Sequence, residues 1–221
     1  MAGGKGKRMK PFTNILPKPL LPVGDKTIIE RIIDSFYSYG VKNYILSINE
    51  KSQIIKSFFK ELSGNYKINF VEEKKPLGTA GSLRLMAGKI SNSFFLTNCD
   101  TLTKINYFDL MEFHKKGKFA LTLVASSKKF SIPYGVCELN AEGELKKIKE
   151  KIKNNYLVNV GLYVLNPFIL KSIPANQFYD MTDLIRDLKK QGYKIGVYPI
   201  HESAWTDVGQ WDEYKKALEQ L

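Results

Sequence analysis

The chain begins with a segment whose residue types are suited to binding an anion. The first ten residues contain three glycines, at positions 3, 4 and 6, and four cationic side chains, at positions 5, 7, 8 and 10. Glycine permits backbone turns at positive φ and lets backbone N–H groups approach a ligand closely. Phosphate is the natural ligand for such a segment. The plain alternative is a solvated basic terminus, because chain ends are commonly disordered.

Two common phosphate-binding motifs are excluded by their spacing. A P-loop needs Ser or Thr after its Gly-Lys pair, but Arg8 follows here, and Met1 stands where the first glycine belongs. The dinucleotide fingerprint GxGxxG would require glycine at position 9, where the chain has Met9. The basic glycine-rich segment therefore needs another explanation.

Composition limits the class of protein. The 221 residues, 43% of them hydrophobic, suffice for one globular domain with a full core. No apolar run reaches the roughly 18 residues of a membrane span, and no secretory leader is evident, so we expect a cytoplasmic protein without membrane contact. Cys99 and Cys137 are expected to be reduced, semi-buried thiols, and His114 and His201 lack a partnering nucleophile motif. Covalent acyl transfer is therefore not expected.

The net charge of +12 admits nucleic acid, an anionic surface or a polyphosphate substrate as partner. Many lysines fall on the polar faces of predicted helices, where solvation explains them. No aromatic-basic RNA motif or recognition-helix pattern is present, so we expect no nucleic acid partner. Only the first eighteen residues combine cations with glycines and prolines.

Helical and strand patterns alternate along most of the chain. Residues 27–39 place five apolar side chains on one helical face, with Gly40 as the expected stop. Strand and helix patterns then alternate to about residue 127, including one long helix over 77–90, which predicts a doubly wound, mainly parallel α/β sheet. Beyond residue 130, short strands with polar turns predict a more antiparallel subregion, followed by helices near 167–172 and 181–191.

Asp100 directly follows the apolar strand SFFLTNC. Ligands of open α/β sheets bind beyond the carboxyl ends of the strands, so this carboxylate is a candidate for the site. Capping of the following segment is an equally good local explanation, because Asp is favoured at such positions.

The opening segment AGGKGKRMKPFTNILPKPLLPVGDKTIIERII resembles the signature of sugar-phosphate nucleotidyltransferases. The segments PLGTAGSL, NCD, YGV, KEK, NVGLYVL and WTDVG follow in that family's order, so the resemblance covers nearly the whole chain. It implies a Rossmann-like fold with a small antiparallel sugar-binding subregion. The implied reaction joins a nucleoside triphosphate to a sugar 1-phosphate and releases pyrophosphate.

The C-terminal segments FYDMTDLIRDL and YPIHESAWTDVGQWDEY resemble a narrower branch, in which the catalytic domain follows a pair of CBS domains. Members of this branch include enzymes that make GDP-glucosamine for legionaminic acid synthesis. The resemblance therefore implies GTP and glucosamine 1-phosphate as substrates. UTP, CTP or dTTP with another hexose 1-phosphate remains an alternative, because one hydrogen bond to the base can redirect specificity.

The resemblance also implies roles for individual residues. The implied catalytic residues are Arg8, Lys18, Asp100 and Asp207. The residues implied to bind the nucleotide are Ala2, Gly3, Gly4, Gly6, Arg8, Gly78 and Thr79. The residues implied to bind the sugar phosphate are Lys18, Gly135, Glu150, Lys151, Asn159 and Gly161.

The two acids implied to hold the metal are Asp100 and Asp207, and the implied metal is Mg²⁺, which prefers carboxylate and phosphate oxygens. Arg8 would brace the triphosphate, and Lys18 would hold the sugar phosphate. Local explanations stay open: a turn acid for Asp207, a helix cap for Thr79 and a solvated charge for Glu150.

Three departures from the family pattern stand out. Lys7 replaces the usual Thr before the signature arginine. Ile152 replaces the proline of the familiar E-K-P, which weakens the implied role of the preceding Lys151. Only Met1 and Ala2 stand where the family has an apolar strand before the glycine loop, at the centre of the sheet. We therefore expect residues 1–221 to be one catalytic domain taken from a longer chain.

Two other hypotheses differ in class from an enzyme. The chain could be a regulatory nucleotide-binding domain without turnover, or a nucleic-acid-binding module. The candidate residues Arg8, Lys18, Asp100 and Asp207 argue against the first. Homo-oligomerisation is left open by the sequence.

Overall fold

Strands and helices alternate along the chain in the computed structural model, which describes residues 1–62 and 64–220. The strands are β1 Pro22–Val23, β2 Lys26–Thr27, β3 Asn43–Ile48, β4 Lys67–Glu72, β5 Phe94–Thr97, β6 Thr101–Thr103, β7 Leu121–Ser131, β8 Val136–Leu139, β9 Leu145–Lys149, β10 Lys153–Leu165, β11 Ile195–Ile200 and β12 Trp205–Asp207. The α-helices are α1 Ile28–Tyr37, α2 Ser52–Glu61, α3 Gly78–Gly81, α4 Tyr107–Lys116, α5 Met181–Lys190 and α6 Trp211–Gln220. This arrangement confirms the α/β class.

Strand pairing is mixed. The four-stranded sheet has the order β11-β7-β10-β5, in which β11 and β7 are parallel and β10 is antiparallel to both of its neighbours. Strands β3 and β4 form a separate parallel pair. The sheet is less parallel than the alternating pattern predicts, because the chain returns from β7 to β10 through a hairpin rather than through a crossover helix.

Backbone hydrogen bonds from the first two residues join these two sheets. The Met1 amino group donates to the Thr97 carbonyl of β5 over 2.6 Å, and the Cys99 N–H donates to the Met1 carbonyl over 3.2 Å. The Ala2 N–H donates to the Ser47 carbonyl of β3 over 2.8 Å. Residues 1 and 2 thus lie between β3 and β5, and the glycine segment emerges at the carboxyl ends of both strands.

The predicted antiparallel subregion is a projecting arm. It consists of the outer halves of β7 and β10 together with the hairpin of β8 and β9. The arm is largely solvent-exposed, whereas the inner half of β10 is buried from Val160 to Leu165. Strand β10 therefore connects the core of the domain to the arm.

Helix α1 shows how local sequence sets an element that supports the site. Its apolar face buries Ile28, Ile29, Ile32, Ile33 and Phe36. The hydroxyl of the preceding Thr27 accepts from the Glu30 N–H, and the Glu30 carboxylate accepts from the Thr27 N–H, which forms a capping box. The capping box fixes the start of the helix, and its apolar face packs into core clusters that include Ala2, Met9 and Leu20.

Three local expectations need correction. The predicted helix over 77–90 is one short turn, Gly78–Gly81, followed by a 3₁₀ segment, Ser82–Met86. Thr79 does not cap that helix, whose first flanking residue is Leu77 with no side-chain cap bond. Cys137 is exposed rather than semi-buried, while Cys99 is buried, and both are free thiols.

Within residues 1–62 and 64–220, no helix combines the length and the hydropathy that a membrane crossing requires.

Candidate active site

The glycine-rich segment curls against the carboxyl ends of β3 and β4. A Cβ atom at Gly3 would lie only 2.8 Å from Glu73 Oε1, so the backbone approaches that side chain as only glycine can. Gly6 has a φ of +59°, and a Cβ there would lie 2.8 Å from the Thr13 methyl and 3.3 Å from Lys18 Cβ. The Thr13 hydroxyl donates to the Gly6 carbonyl over 2.9 Å. These contacts therefore restrict the backbone conformation of the glycine segment at Gly3 and Gly6.

Lys18 and Asp100 form an ion pair at the centre of the site. The Lys18 side chain is only 8% exposed and the Asp100 side chain 17%, and the ammonium donates to Asp100 Oδ2. Arg8 Nη2 lies 4.0 Å from the same oxygen and is itself exposed. Two cations thus lie beside one carboxylate, that of Asp100.

Asp207 lies beside this pair. A Cβ at Gly209 would lie 2.6 Å from Asp100 Oδ2, 2.7 Å from Lys18 Nζ and 2.8 Å from Asp207 Oδ1, so the three charged groups surround one point. The Gly209 N–H donates to Asp207 Oδ1 over 2.9 Å. The two carboxylates are far apart in the chain, and only the fold brings them together.

A small antiparallel ribbon sets the spacing of the two acids. Strand β12 ends at Asp207, which pairs with Thr101, the first residue of β6. The Val208 N–H donates to the Asp100 carbonyl over 3.0 Å, and the Thr101 hydroxyl donates to the buried Val160 carbonyl over 2.7 Å. The backbone of both acids is therefore fixed by the sheet.

Two cavities meet at this charged cluster. One, of about 500 Å³, is lined by the glycine segment, Lys18, Glu73, the segment Pro76–Thr79 and Asp100. The other, of about 200 Å³, is lined by Asp100, Asp207 and the β10 segment that includes Asn159 and Gly161. Arg8, Asn98 and Asp100 line both. A third cavity, of about 530 Å³, lies between α1, α4 and β6 and holds none of the predicted site residues.

The two carboxylates have the chemistry that a hard divalent cation prefers. Asp100 Oδ2 and Asp207 Oδ1 lie close together beside Gly209, and Lys18 Nζ lies beside them as the present counter-charge. Among residues 1–62 and 64–220, no group of three or more His, Cys, Asp or Glu side chains forms a metal-binding cluster. A cation here would therefore rely on two protein carboxylates and on oxygens of the substrates, an arrangement typical of Mg²⁺.

The remaining residues predicted for the nucleotide fall into two groups. Gly3, Gly4 and Gly6 line the larger cavity, as do Gly78 and Thr79. The Thr79 hydroxyl donates to Asp180 Oδ1 over 3.0 Å and accepts from the Met181 N–H over 2.9 Å, so it ties its loop to α5. Ala2 is different, because it is buried in the core and does not line the cavity.

The residues predicted for the sugar phosphate are also divided. Asn159 and Gly161 line the smaller cavity; Asn159 Oδ1 accepts from the Gly161 N–H over 3.0 Å, and its amide donates to the Tyr163 hydroxyl over 2.8 Å. Gly135, Glu150 and Lys151 lie on the exposed arm, and they line neither of the two cavities. Asn159 and Gly161 therefore lie in one cavity and Lys18 in the other, with Asp100 lining both, while the arm residues lie in neither.

Nucleophilic side-chain chemistry has no support in this site. Burial, reinforced by the Asp100 carboxylate, raises the pKa of the Cys99 thiol to about 11, so the thiol is protonated at neutral pH. His114 is buried in the core with Nδ1 2.9 Å from the Thr122 hydroxyl, and burial lowers its pKa. Neither the Cys99 thiol nor the His114 ring is therefore available as a nucleophile at the cluster.

The sequence patterns did not predict several residues that line the two cavities. Glu73 follows β4, and its two carboxylate oxygens accept from the Ser47 hydroxyl and the Leu77 N–H. Asn98 lines both cavities, and Ser82 lines the larger one. The signal for Glu73 was present, because an acid at the carboxyl end of a strand is the same pattern that singled out Asp100.

The family is decided by a match over the whole chain. The model of the family described as Nucleotidyl transferase matches residues 1–221. The chain belongs to the nucleotidyl transferase family. Its glycine loop, its two strand-end acids and its mixed α/β sheet are thus features of a nucleotidyl transferase, and the family resemblance of the sequence is confirmed.

Individual relatives agree with this assignment. The chain is 32% identical over 223 residues to a mannose-1-phosphate guanyltransferase of Yarrowia lipolytica, covering 95% of this chain and 60% of the relative. It is 30% identical over 229 residues to a mannose-1-phosphate guanyltransferase of Schizosaccharomyces pombe, covering 97% of this chain and 61% of the relative. The match thus spans less than two thirds of these relatives' length.

Solved structures share the fold. The crystal structure of HddC from Yersinia pseudotuberculosis superimposes with a TM-score of 0.76 at 25% identity, covering 99% of this chain and 96% of HddC. The same protein complexed with GMP-PN gives the same TM-score. An apo UDP-glucose pyrophosphorylase superimposes with a TM-score of 0.71 at 18% identity, covering 99% of this chain and 95% of that protein, which supports the fold alone.

Proposed function

We propose that this nucleotidyl transferase is the catalytic domain of a sugar-1-phosphate guanylyltransferase, which joins GTP and a hexose 1-phosphate to give a GDP-sugar and pyrophosphate. One observation carries the proposal: the two cavities meet at Asp100, with Lys18 and Asp207 beside it. A reaction between two phosphorylated substrates needs two such sites and a charged junction between them. Guanine is favoured by the printed names of the relatives and by the complex of HddC with GMP-PN.

The proposed reaction needs no protein nucleophile. The sugar phosphate oxygen attacks the α-phosphorus, a bond to that phosphorus forms, and the bond to the departing pyrophosphate breaks. The substrates are anions, so the protein's contribution is to position them and to neutralise their charge. When bound between Asp100 and Asp207, Mg²⁺ would supply further neutralisation of phosphate charge.

The residues of the site divide this work by position. The glycine segment lines the larger cavity, where its backbone N–H groups would bind phosphate, and the exposed Arg8 lines both cavities, where its guanidinium would reach phosphates. Lys18 is buried in the wall of the larger cavity beside Asp100, which lines both cavities, and from there its ammonium would hold the sugar phosphate. Replacing Lys18 with Ala should therefore chiefly raise the KM for the sugar phosphate.

The sugar is the finer part of the proposal. The named relatives favour mannose 1-phosphate, whereas the branch resemblance of the C-terminal segments favours glucosamine 1-phosphate. Glu150, a candidate partner for an amino group or for hydroxyls of the sugar, is exposed on the arm. Mannose 1-phosphate is therefore the first substrate to test, with glucosamine 1-phosphate beside it.

The experiment is a pyrophosphate-release assay with four NTPs and a panel of sugar 1-phosphates, each pair with and without Mg²⁺. Turnover should be highest with GTP, and Asp207→Asn should abolish it. Asp212→Asn serves as the matched control, because Asp212 is 87% exposed and its ion pair among the described residues is with Lys215 at 3.7 Å. If nucleotide binds but no pair releases pyrophosphate, the proposal fails in favour of the regulatory alternative.

A further inference from the structure

Two exposed aromatic side chains join the segment that carries Arg8 to the segment that carries Asp207. The rings of Phe12 and Trp211 have centroids 5.4 Å apart and planes inclined by 22°, which is an offset-stacked pair. Phe12 is 50% exposed and Trp211 is 37% exposed. The stack is therefore a contact between two surface segments rather than a part of the buried core.

Each ring lies a short distance along the chain from a residue of the candidate active site. Phe12 follows Arg8 by four residues and begins the 3₁₀ turn Phe12–Asn14. Trp211 follows Asp207 by four residues and begins helix α6. Four residues of chain span at most about 14 Å, so the position of each ring restricts the position of the site residue before it.

The same two segments also meet in the core beneath this stack. Met9 is fully buried in one cluster with Val208 and Tyr214. The Trp211 ring stacks on the Tyr214 ring as well, with centroids 5.7 Å apart and planes inclined by 24°. The rings of Tyr214, Trp211 and Phe12 thus form a row that leads from the core to the surface. The row continues the packing of the two segments outward to the level of the exposed Arg8.

Arg8 has little support from its own side-chain contacts. Its side chain is exposed, and Nη2 lies 4.0 Å from Asp100 Oδ2, which is a loose ion pair. Ordering a long, flexible side chain on binding costs conformational entropy, so an exposed guanidinium binds an anion better when the backbone beneath it is already fixed. Restraint of the backbone near Arg8 is therefore worth affinity for phosphate.

We infer that Trp211 is a positioning residue: by stacking on Phe12 it fixes the Arg8 segment against the Asp207 segment, and so sets Arg8 to bind the departing pyrophosphate. This inference rests on the proposed function, in which Arg8 binds phosphate. Trp211 lines neither of the two cavities that meet at Asp100, so its effect passes through the backbone of residues 8–12.

The experiment is a calorimetric titration of the whole chain with inorganic pyrophosphate and Mg²⁺, which measures affinity for the leaving group without turnover. Trp211→Ala should weaken pyrophosphate binding about fivefold, since an aromatic pair of this kind shifts an equilibrium by roughly 2- to 12-fold. Trp211→Phe should restore most of the affinity, because it keeps a ring for Phe12 to stack on. In the Arg8→Ala background, Trp211→Ala should have no further effect, because Trp211 acts through Arg8.

Steady-state kinetics give a second measurement. Trp211→Ala should lower kcat for pyrophosphate release about fivefold and leave the KM for the sugar phosphate within about twofold, because Lys18 is untouched. Phe168→Ala is the matched control. Phe168 and Tyr193 are another exposed aromatic pair, with centroids 5.3 Å apart, and they line neither cavity. This control should leave the pyrophosphate affinity and kcat at the wild-type values.

The inference fails on any of three results: an unchanged pyrophosphate affinity in Trp211→Ala, equal losses in Trp211→Ala and Trp211→Phe, or an undiminished further loss when Trp211→Ala is added to Arg8→Ala. The last result would show that Trp211 acts otherwise than through Arg8. Pyrophosphate binding with the expected differences, but with no release of pyrophosphate from any substrate pair, would refute the proposed function and leave the positioning role of Trp211 intact.

Discussion

Removing the charge of Asp100 or of Asp207 should have the same effect on turnover but different effects on stability. Asp100 compensates the buried ammonium of Lys18, whose side chain is 8% exposed. The Asp207 carboxylate accepts only from the Gly209 N–H among the hydrogen bonds of the described residues. Asp100→Asn therefore strands a buried cation, whereas Asp207→Asn keeps an amide oxygen in place to accept the same hydrogen bond.

The sizes of the two effects follow from this difference. Breaking a buried ion pair costs about 3–5 kcal/mol, and the 17% exposure of Asp100 places the expected cost nearer 2–3 kcal/mol. For a chain of 221 residues this corresponds to a decrease in Tm of about 5–10 °C. Asp207→Asn should cost less than about 1 kcal/mol. Both variants should lose Mg²⁺-dependent pyrophosphate release.

Thermal unfolding followed by circular dichroism measures the stability of each variant, and the pyrophosphate assay measures its turnover. Adding Lys18→Met to Asp100→Asn should recover most of the lost stability without restoring turnover, because it removes the uncompensated charge. Equal stability losses in the two single variants would refute the reasoning about the ion pair. Near-normal turnover in Asp207→Asn would refute the assignment of the two acids to one site.

Three further predictions concern other parts of the site. Arg8→Ala should lower kcat while leaving Tm within about 1 °C of wild type, because Arg8 is exposed; a change confined to KM in steady-state kinetics would contradict this. Gly6→Ala should cost about 1–2 kcal/mol in urea unfolding, because its φ is +59°, whereas Gly4→Ala, with nothing within 4 Å of the new methyl, should be nearly neutral. A thiol reagent at pH 8 should modify Cys137 rapidly and Cys99 only after unfolding. Folding raises the pKa of the Cys99 thiol from 9.0 to about 11, so the free energy of unfolding should decrease as the pH rises from about 9 to 11. Cys99→Ala should remove this part of the pH dependence.

Local patterns in the sequence predicted those elements whose signals are complete within one segment. The segment YFDLMEFHKK has a helical pattern, and helix α4 covers it as Tyr107–Lys116; the Asn106 side chain caps this helix by accepting from the Phe108 and Asp109 N–H groups. The predicted helix over 77–90 is broken after its first turn. The Gly78 and Gly81 backbones pack against residues 177–180, and this contact between distant segments is invisible in local periodicity.

In the candidate site, too, residues with a local signal were predicted, whereas residues placed by contacts between distant segments were not. The glycine segment and Asp100 stood out from residue type and position alone. Asp207 did not, because its neighbour in space is fixed by the pairing of β12 with β6, and only the family resemblance pointed to it. Glu73 was missed although it has the same strand-end position as Asp100, because it lies outside the motifs that carried the resemblance.

The net charge of this protein says less about its ligand than the burial of its ion-paired side chains does. Most ion pairs of the described residues join exposed side chains; those of Lys5 with Glu50 and Lys26 with Asp34 are 44–52% exposed. Such pairs contribute about 0–1 kcal/mol each. The Lys18–Asp100 pair differs, because both side chains are less than a fifth exposed. Burying two charges is costly, and such groups concentrate at functional sites. The net charge of +12 therefore describes a solvated surface, whereas the pair shielded at the junction of the two cavities describes the chemistry.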